Sequence, residues 1–437
     1  EAAALAARRE ERLAALVAHA RSRSAFYRRL YAGLDDGAGL ASLPPVAKPE
    51  LMAHFDEWTT DPAVTRAAVQ DFVRDPGNIG TDFLGRYVVV TTSGSTGEPA
   101  LLVQDRRALA VMSGLVLGRL PGLGPRLLVR LLAGSLRPAL LFASGGHFLS
   151  TVLYERRLRA APLRGQFSRF LPVQEPLPQL VRQLNRYHPA AVASYPSGLE
   201  MLAGEQAAGR LRIAPAIMVA GGEQLLPAAR GKIEAAFGCP VLELYGASEA
   251  SPLTLPCRYG SQHVNSDWFI LEPVDAAGRP VPPGELSCSL LLTNLANFVQ
   301  PLIRYELADA VALDPRRCRC GSPLPTLRVE GRTDEILRLA GPQGEVPLLP
   351  MALATVVEET PGVGRFQLVQ TGPAALSVRL EPLPGWAADR VWAGVRTHLR
   401  DFLRAQGLPA AAVHRASEGP QLQPRSGKLR HVFRAPV

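Results

Sequence analysis

The stretch from Tyr87 to Gly97 reads Tyr-Val-Val-Val-Thr-Thr-Ser-Gly-Ser-Thr-Gly. Its opening residues, Tyr87–Val90, are aromatic or β-branched and predict a strand. The residues Thr92–Gly97 are small or hydroxylated and follow that strand, where α/β folds commonly bind ligands. Glycine permits close backbone approach, and hydroxyl and N–H groups satisfy phosphate oxygens, so the stretch predicts a phosphate-binding loop. A plain turn is the alternative, and Glu98-Pro99 replaces the ending of a Walker A loop.

From about residue 86 to residue 245, short apolar runs alternate with helical patterns and predict an α/β sheet with crossover helices. An amphipathic helical pattern covers residues 1–32. The predicted strands are Tyr87–Val90, Ala139–Phe142, Ala190–Ser194, Ala216–Ala220 and Val241–Leu244, and the predicted helices are 104–119, 177–187, 197–208 and 226–237.

The length of 437 residues exceeds the roughly 250–300 residues that one core organises, so at least two domains are expected. Beyond Thr293 the sequence pattern predicts mostly loops. A compact α+β unit then follows, with strands at Arg365–Gln370 and Ala375–Leu380, a helix at 388–404 and an apolar run at Ala410–Val413. We place the boundary near Gly331–Asp334, which gives domains of 1–333 and 334–437.

Composition and charge restrict the classes of protein to consider. With 47% hydrophobic and 20% charged residues, the chain is typical of globular proteins that bury a core. The net charge of +9 comes from basic residues dispersed among acidic ones, so nucleic acid is not an expected partner. A non-enzymatic binding protein that uses this basic surface remains the alternative.

The sequence predicts neither a membrane span nor a disulfide framework. Arginines and prolines interrupt the apolar region 108–154, and the charged residues 8–12 stand where a signal peptide needs an apolar run. We therefore expect a cytoplasmic protein without a membrane partner. Five cysteines in so long a chain point to metal binding or chemistry instead. Lysine is rare, with only Lys48, Lys232 and Lys428, which favours a specific role for a lysine.

Four further motifs accompany the loop at 92–97. They are Tyr245-Gly246-Ala247-Ser248-Glu249, Arg304-Tyr305-Glu306-Leu307-Ala308-Asp309, Gly331-Arg332-Thr333-Asp334 and Pro424-Arg425-Ser426-Gly427-Lys428. With these motifs the chain resembles the adenylate-forming superfamily, especially phenylacetate-CoA ligase and its aryl-CoA ligase relatives, over residues 90–430. The resemblance implies an α/β fold: a large N-terminal adenylation domain with mixed sheets and crossover helices, plus a small mobile C-terminal α+β lid domain.

The resemblance also implies a role for individual residues. Glu249 would hold Mg²⁺, although a solvated carboxylate at a helix start is the alternative. Asp309 would accept hydrogen bonds from the ribose hydroxyls of ATP, and its alternative is a turn-forming Asp. Lys428 would meet the developing phosphoryl charge, with a solvated tail lysine as the alternative. Asp334 would be the hinge about which the lid rotates, or else an ordinary linker residue.

The remaining site residues follow from the same resemblance. The implied catalytic residues are Lys428, Glu249 and Thr96. The implied ATP-binding residues are Thr92, Ser93, Gly94, Ser95, Thr96, Gly97, Gly222, Glu223, Tyr245, Gly246, Asp309 and Arg332.

The acyl pocket has less support from the sequence. Strand ends near the phosphate loop must line it, which favours Tyr195, His147, Gly221 and Ala247. Tyr195 and His147 could contact an aromatic ring, but packing in the core or in a loop explains them equally well.

The chain departs from the family pattern at two places. Ala100 replaces the lysine usual after the phosphate loop, so Mg²⁺ or another group must neutralise pyrophosphate. Leu307-Ala308 replaces the usual Thr-Gly before Asp309, which should be harmless because the Asp carboxylate makes the contact.

Cys257, His263, Cys318 and Cys320 form a Cys₃His set with the ligand types of tetrahedral zinc. We expect a structural zinc site, because protein ligands would fill all four positions; dispersed thiols are the alternative. Cys239 and Cys288 are interpreted as buried thiols.

Together these features predict an enzyme, an ATP-dependent acid-thiol ligase. It would form acyl-AMP from a carboxylic acid, with an aryl acid favoured, and transfer the acyl group to CoA. The expected cofactors are ATP, Mg²⁺ and CoA with a structural Zn²⁺. An enzyme that loads a carrier protein or adenylates a cofactor is the alternative.

Overall fold

A computed structural model describes residues 2–35, 37–92, 100–119, 125–133, 137–161, 167–223, 225, 227–275, 277–307, 309–329, 337–342, 344–348, 350–421 and 431–435. Short 3₁₀ helices occur at Leu40–Ser42 and Pro76–Asn78. The α-helices of the described residues are α1 (Ala2–Arg23), α2 (Ala25–Leu30), α3 (Lys48–Ala53), α4 (Phe55–Trp58), α5 (Arg66–Arg74), α6 (Arg106–Arg119), α7 (Pro125–Ala133), α8 (Leu149–Ala160), α9 (Leu177–Tyr187), α10 (Pro196–Ala207), α11 (Pro227–Phe237), α12 (Pro350–Glu358) and α13 (Ala388–Ala405).

The strands belong to several small sheets. They are β1 (Val88–Thr91), β2 (Leu101–Gln104), β3 (Pro138–Phe142), β4 (Arg169–Pro172), β5 (Ala191–Ser194), β6 (Ile217–Gly221), β7 (Val241–Leu244), β8 (Thr254–Pro256), β9 (Gln262–Val264), β10 (Phe269–Val274), β11 (Ser289–Asn294), β12 (Leu302–Leu307), β13 (Val311–Leu313), β14 (Thr326–Val329), β15 (Leu337–Gly341), β16 (Gly344–Leu348), β17 (Val363–Gly372), β18 (Ala375–Pro382), β19 (Ala412–Arg415) and β20 (Val432–Arg434).

The chain divides into two compact units. The first comprises residues 1–91, 100–124 and 243–331. It contains the β1-β2 hairpin and two antiparallel sheets, ordered β10-β11-β12 and β13-β14-β9-β8. Its N-terminal helices pack on this framework through large buried side chains: the indole of Trp58 and the hydroxyl of Tyr27 both donate to the carbonyl of Pro301, at 2.7 and 3.0 Å. The N-terminal helices are therefore an integral part of this unit.

The second unit comprises residues 92–99, 125–242 and 332–437. A five-stranded sheet has the order β4-β3-β5-β6-β7, and β3 pairs in parallel with both β4 and β5. A four-stranded sheet, β19-β18-β17-β20, carries α12 and α13. Buried side chains of both segments, such as Leu141 and Leu368, belong to one hydrophobic cluster. The predicted boundary at 333/334 lies outside the described residues, so the division into 1–333 and 334–437 stays a prediction.

The α/β fold class is confirmed, and most predicted elements are present. The four predicted strands between 139 and 244 correspond to β3, β5, β6 and β7 with ends that differ by at most one residue. The N-terminal helical pattern forms α1 and α2, which Ser24 separates by capping the second helix through its side chain. Helical and strand periodicities were both strong in these segments, which explains the agreement.

One expectation about a strand is wrong. The predicted strand Tyr87–Val90 is not part of the parallel sheet, because β1 pairs antiparallel with β2 in a hairpin. The strand β2 is fully buried, so it lacks an alternating pattern that would separate it from the start of α6. The expected loop-rich texture beyond Thr293 is present: the strands β12 to β14 are short, and no helix or strand covers residues 314–325.

Among the described residues, no helix combines the length and the apolar character that crossing a bilayer requires.

Replacing Leu141 with alanine should destabilise the second unit. Leu141 is fully buried on β3, an interior strand of the five-stranded sheet, and such truncations cost about 2–5 kcal/mol through lost burial and a residual cavity. Leu132→Ala on α7 is the matched control, since Leu132 is 55% exposed. Urea unfolding followed by circular dichroism measures both. Equal unfolding free energies for the two variants would contradict the assigned core.

Candidate active site

The segment Tyr245–Glu249 forms a tight turn immediately after β7. The carbonyl of Tyr245 accepts hydrogen bonds from the backbone N–H groups of Leu253 and Thr254, at 2.9 and 3.1 Å. Inside the turn, Ala247 and Ala250 exchange backbone hydrogen bonds of 2.9 and 3.0 Å. A Cβ on Gly246 would stand 2.7 Å from the hydroxyl of Ser251, so the closed turn requires glycine at this position. The backbone thus fixes where the Tyr245 and Glu249 side chains begin.

Two phenol–carboxylate hydrogen bonds join this turn to the segment around β12. The hydroxyl of Tyr245 donates to Oδ2 of Asp309 at 3.0 Å. In the reverse direction, the hydroxyl of Tyr305 on β12 donates to Oε1 of Glu249, also at 3.0 Å. Each motif therefore supplies one tyrosine and one carboxylate to the other. The structure brings together Tyr245, Glu249 and Asp309, three of the residues singled out from the sequence.

Tyr305 and Arg304 are neighbours of the candidate site that the sequence reasoning did not single out as site residues. Arg304 is buried and has a left-handed backbone, with φ of 50°. Its guanidinium donates to the carbonyl of Leu43 at 2.6 Å and to the carboxylate of Glu272 at 3.2 Å. Arg304 thereby ties the N-terminal segment to β12 and keeps Tyr305 in place. The Arg-Tyr pair in the motif was the signal that the sequence offered for these residues, but both side chains act through contacts with residues distant in the sequence.

In the second unit, Gly222 and Glu223 follow β6 directly. Gly222 has a left-handed φ of +83°, and a Cβ there would stand 3.0 and 3.1 Å from ring carbons of Tyr195. The carboxylate of Glu223 accepts a hydrogen bond from the backbone N–H of Ser197 at 3.1 Å. Because Ser197 lies in the first turn of α10, the negative charge is favourable at that helix N-terminus. Glu223 is held by the fold at this strand end.

Tyr195 and His147 are both buried, at 8% and 3% exposure. The Tyr195 hydroxyl accepts a hydrogen bond from the backbone N–H of Ala143 at 3.4 Å, and its ring packs edge-on against Phe142 with centroids 5.1 Å apart. Burial raises the pKa of the Tyr195 phenol, so it stays protonated. Gly221 ends β6 next to Gly222. A role for these residues and for Ala247 in binding the acid stays a prediction.

Several predicted site residues lie outside the described part of the chain. Thr92 is described and follows β1 directly, half-buried. Ala100, at the position where the family pattern has lysine, is buried at 1% exposure just before β2. The residues outside the described ranges are Ser93, Gly94, Ser95, Thr96, Gly97, Arg332, Asp334 and Lys428.

Cys257, His263, Cys318 and Cys320 come together in the first unit, with their ligand atoms all within 4.8 Å of one another. The sulfurs of Cys257 and Cys318 are 3.7 Å apart, and the Cys320 sulfur lies 3.2 Å from Nε2 of His263. Two sulfurs bound tetrahedrally to zinc at about 2.3 Å would be roughly 3.8 Å apart. The donor set and its spacing therefore fit a tetrahedral zinc ion.

The surroundings of this cluster also suit metal ligation. Nδ1 of His263 lies 2.9 Å from the carbonyl oxygen of Leu324. Since a carbonyl can only accept, Nδ1 carries the proton and Nε2 presents its lone pair to the sulfurs. Backbone N–H groups donate to the sulfurs of Cys257 and Cys320, each at 3.4 Å. Hydrogen bonding, chiefly from the Ser261 side chain, lowers the pKa of the Cys318 thiol to about 6.

The two remaining cysteines differ from each other. Cys239 is buried, as expected, and burial raises the pKa of its thiol to about 11. The expectation of a buried Cys288 is wrong, because this side chain is exposed. Cys288 lies just before β11, next to a loop whose residues 282–286 are all exposed.

Comparison with known proteins gives consistent findings. The family model for "AMP-binding enzyme" matches residues 6–287. Phenylacetate-coenzyme A ligase of Thermus thermophilus is 27% identical over 383 residues, which are 84% of this chain and 78% of that protein. Protein CapK of Staphylococcus aureus is 25% identical over 142 residues, 32% of this chain and 30% of its own length.

Solved structures of 2-hydroxyisobutyryl-CoA ligase share the fold. The structure with 2-HIB-AMP and CoA in the thioesterification state has a TM-score of 0.57 and 22% identity, over 97% of this chain and 88% of that one. The open conformation with the same ligands has a TM-score of 0.53 and 20% identity, over 97% and 90%.

Replacing Gly222 with alanine should cost more stability than the same change at Gly238. Both glycines have a left-handed φ, which costs alanine about 1–2 kcal/mol, but nothing lies within 4 Å of a Cβ on Gly238. The clash with the Tyr195 ring adds roughly 1–3 kcal/mol at Gly222. Urea unfolding of the ligand-free variants measures the difference. Equal losses would show that the Tyr195 ring does not constrain Gly222.

Proposed function

We propose, since the chain belongs to the AMP-binding enzyme family, that it is an ATP-dependent acyl-CoA ligase. A carboxylate oxygen of the acid attacks the α-phosphorus of ATP, the bond to the bridging oxygen breaks, and pyrophosphate leaves. The sulfur of CoA then attacks the acyl carbon of the acyl-AMP, AMP leaves with the bonding pair, and the thiol proton passes to solvent. The observation that carries the proposal is the reciprocal pairing of Tyr245 with Asp309 and of Tyr305 with Glu249.

Each proposed ATP contact follows from the chemistry of its side chain. Asp309, oriented by the Tyr245 hydroxyl, has oxygens to accept hydrogen bonds from two ribose hydroxyls. Glu249, oriented by the Tyr305 hydroxyl, offers the carboxylate oxygen that Mg²⁺ prefers, and the ion would supply positive charge between the two reacting anions. The loop Thr92–Gly97 would cradle the phosphates, with Thr96 and Arg332 beside them. Gly246 allows the closed turn that positions Tyr245, and Gly222-Glu223 would lie against the adenine.

The small C-terminal domain would alternate between two positions. Lys428 would stabilise the charge that develops on the α-phosphate, because its compact ammonium on a flexible stem can reach a transient anion. Rotation about Asp334 would then withdraw Lys428 and present another face for thioester formation. Such movement would explain how one site performs two reactions that need different groups.

For the acid, we favour an aryl carboxylate. The relative from Thermus thermophilus carries phenylacetate in its name, and the proposed lining residues Tyr195 and His147 have planar rings that suit an aromatic partner. Gly221 and Ala247 are small, which leaves room beside them. The buried positions of Tyr195 and His147 are compatible with a pocket wall that a bound acid would complete.

We also propose a structural zinc ion at Cys257, His263, Cys318 and Cys320. Protein atoms would occupy all four tetrahedral positions, so the ion would have no open position for substrate. It would join the turn after β8 to the turn before β14, since Cys257 follows β8 and Cys318 and Cys320 precede β14. Zinc would then stabilise the sheet that follows the Tyr245 turn.

Pyrophosphate exchange into ATP tests the proposed function. Purified protein is screened with aromatic and aliphatic acids in the presence of Mg²⁺, and the acid with the fastest exchange is then supplied with CoA. We expect exchange with at least one aryl acid and an acyl-CoA product when CoA is added. No exchange with any acid would refute adenylation, and exchange without thioester formation would point to a carrier protein or a cofactor as acceptor.

Lys428→Ala should separate the two half-reactions. Loss of a cation that meets the transition state lowers the rate of adenylation by about 10²–10³-fold, while thioester formation from supplied acyl-AMP continues at nearly the original rate. Lys232→Ala is the matched control, because Lys232 is exposed and paired with Glu200 on the protein surface. Single-turnover assays of each half-reaction provide the measurement. Equal loss of both half-reactions would contradict the proposed role.

Zinc analysis should find about one ion per chain in protein that has never met a chelator, in accordance with the four-ligand set. Cys318→Ser should abolish binding and lower the melting temperature, since a lost structural metal removes folding free energy. Cys288→Ser, at an exposed thiol outside the cluster, should retain zinc and stability. A zinc content near zero in the unaltered protein would exclude the site.

A further inference from the structure

The two turns that carry the cysteine cluster also carry arginines. The first turn comprises Cys257–Gly260, where Gly260 donates a backbone hydrogen bond of 2.8 Å to Cys257. The second comprises Cys318–Gly321, closed by a 3.2 Å bond from Gly321 to Cys318. Both glycines have a left-handed φ, +81° and +86°, so the turns are tight. The other side chains of each turn must therefore point away from the cysteine sulfurs.

Three of these side chains form one group. The ring of Tyr259 is 41% exposed. The guanidinium carbon of Arg319 lies 4.2 Å from its centroid, and that of Arg258 lies 4.9 Å from it. Arg258 and Tyr259 come from the first turn, whereas Arg319 comes from the second. Both turns thus contribute to the group, and the same turns carry the sulfurs of Cys257 and Cys318, 3.7 Å apart.

The surface around this group has a strong positive charge. Four arginines are exposed there, namely Arg258, Arg316, Arg317 and Arg319, and Arg316 is paired with Asp314 at 3.5 Å. Stacking on the ring restricts the guanidiniums of Arg258 and Arg319, so less side-chain entropy is lost when they bind a ligand. Planar guanidiniums held in this way suit phosphate, which they bind through paired N–H groups.

A cavity of about 400 Å³ adjoins the group. Its lining combines Arg258 and Arg119 with the apolar side chains of Leu255 and Leu324, and it borders the cysteine cluster at Cys257, His263 and Cys320. This volume lies within the range of small-molecule sites, and its mixture of apolar surface and cations suits a nucleotide.

The group lies close to the residues proposed to bind the reactants. The backbone N–H of Thr254 donates to the carbonyl of Tyr245 at 3.1 Å. Cys257 follows three residues later, which is about 10 Å at the usual strand rise of about 3.3 Å per residue. A ligand whose phosphate is held by Arg258 and Arg319 would therefore have a span of about this length to reach the Tyr245 turn.

From these observations we infer that Arg258 and Arg319, stacked on Tyr259, bind the 3′-phosphorylated nucleotide end of CoA. The inference rests on the proposed acyl-CoA ligase function. It gives the cysteine cluster a second purpose, since a metal there would join the two turns that supply the two guanidiniums.

Steady-state kinetics with CoA and with 3′-dephospho-CoA test this assignment. The acid is the one that gives the fastest pyrophosphate exchange. We compare the unaltered enzyme with Arg258→Ala/Arg319→Ala and with a control, Arg182→Ala/Arg186→Ala, which removes two arginines of α9. The unaltered enzyme and the control should show a lower KM for CoA than for dephospho-CoA. In the Arg258/Arg319 variant, KM for CoA should rise about tenfold or more, and the ratio of the two KM values should fall towards one.

Two further readouts separate binding from a merely structural effect. In the Arg258→Ala/Arg319→Ala variant, pyrophosphate exchange without CoA and the zinc content should match those of the unaltered enzyme.

If the alanine pair does not fold, Arg319→Lys replaces it. This change retains the charge but loses the planar fork of the guanidinium, so KM for CoA should rise several-fold. An unchanged KM ratio in a folded variant overturns the inference, as does an unaltered enzyme that acylates a phosphopantetheine carrier protein but not CoA. Absence of exchange in the unaltered enzyme would instead refute the proposed function itself.

Discussion

The hydrogen bonds from Tyr245 to Asp309 and from Tyr305 to Glu249 hold the candidate site together. Each joins a phenol to a carboxylate on a segment 56 or 64 residues away in the sequence. Hydrogen bonds to charged groups contribute roughly 1.5–3 kcal/mol, and removal of one partner leaves the other without its donor. The pairing is reciprocal, so displacement of either segment breaks both bonds. The two carboxylates are thereby oriented without a ligand, which would lower the cost of binding the proposed magnesium and ribose.

Contacts of the surrounding fold hold the segments that form these two hydrogen bonds. Gly246 permits the tight turn, and the Arg304 guanidinium ties β12 to Leu43 and Glu272. In the neighbouring sheet, the two turns that carry the cysteines of the Cys₃His cluster also place Arg258 and Arg319 on one tyrosine ring. A structural metal in this position would thus stabilise the sheet next to the reacting groups and also organise a surface for the acyl acceptor. The proposed chemistry depends on rigid antiparallel strands in the first unit.

The sequence predicted the fold class and most of the crossover elements, because β3, β5 and β6 and their helices have clear periodicity. It also placed Tyr245, Glu249 and Asp309 in motifs that the structure brings together. It failed at β2, where a fully buried strand shows no alternation, and at Cys288, which is exposed just before β11. Tyr305 and Arg304 were missed because their roles come from partners far along the chain. Neither hydrogen-bond partner can be read from spacing alone.

The magnesium dependence of pyrophosphate exchange in Tyr305→Phe tests the central claim most directly. Outer-shell partners of metal ligands typically contribute about 10–100-fold to metal affinity or activity. If the Tyr305 hydroxyl orients Glu249 for magnesium, its loss should raise the half-saturating Mg²⁺ concentration about tenfold. Tyr187→Phe, which removes a hydroxyl that donates to the carbonyl of Pro138 at 3.3 Å, should leave it unchanged. The same Mg²⁺ dependence in Tyr305→Phe and the unaltered enzyme would contradict the account.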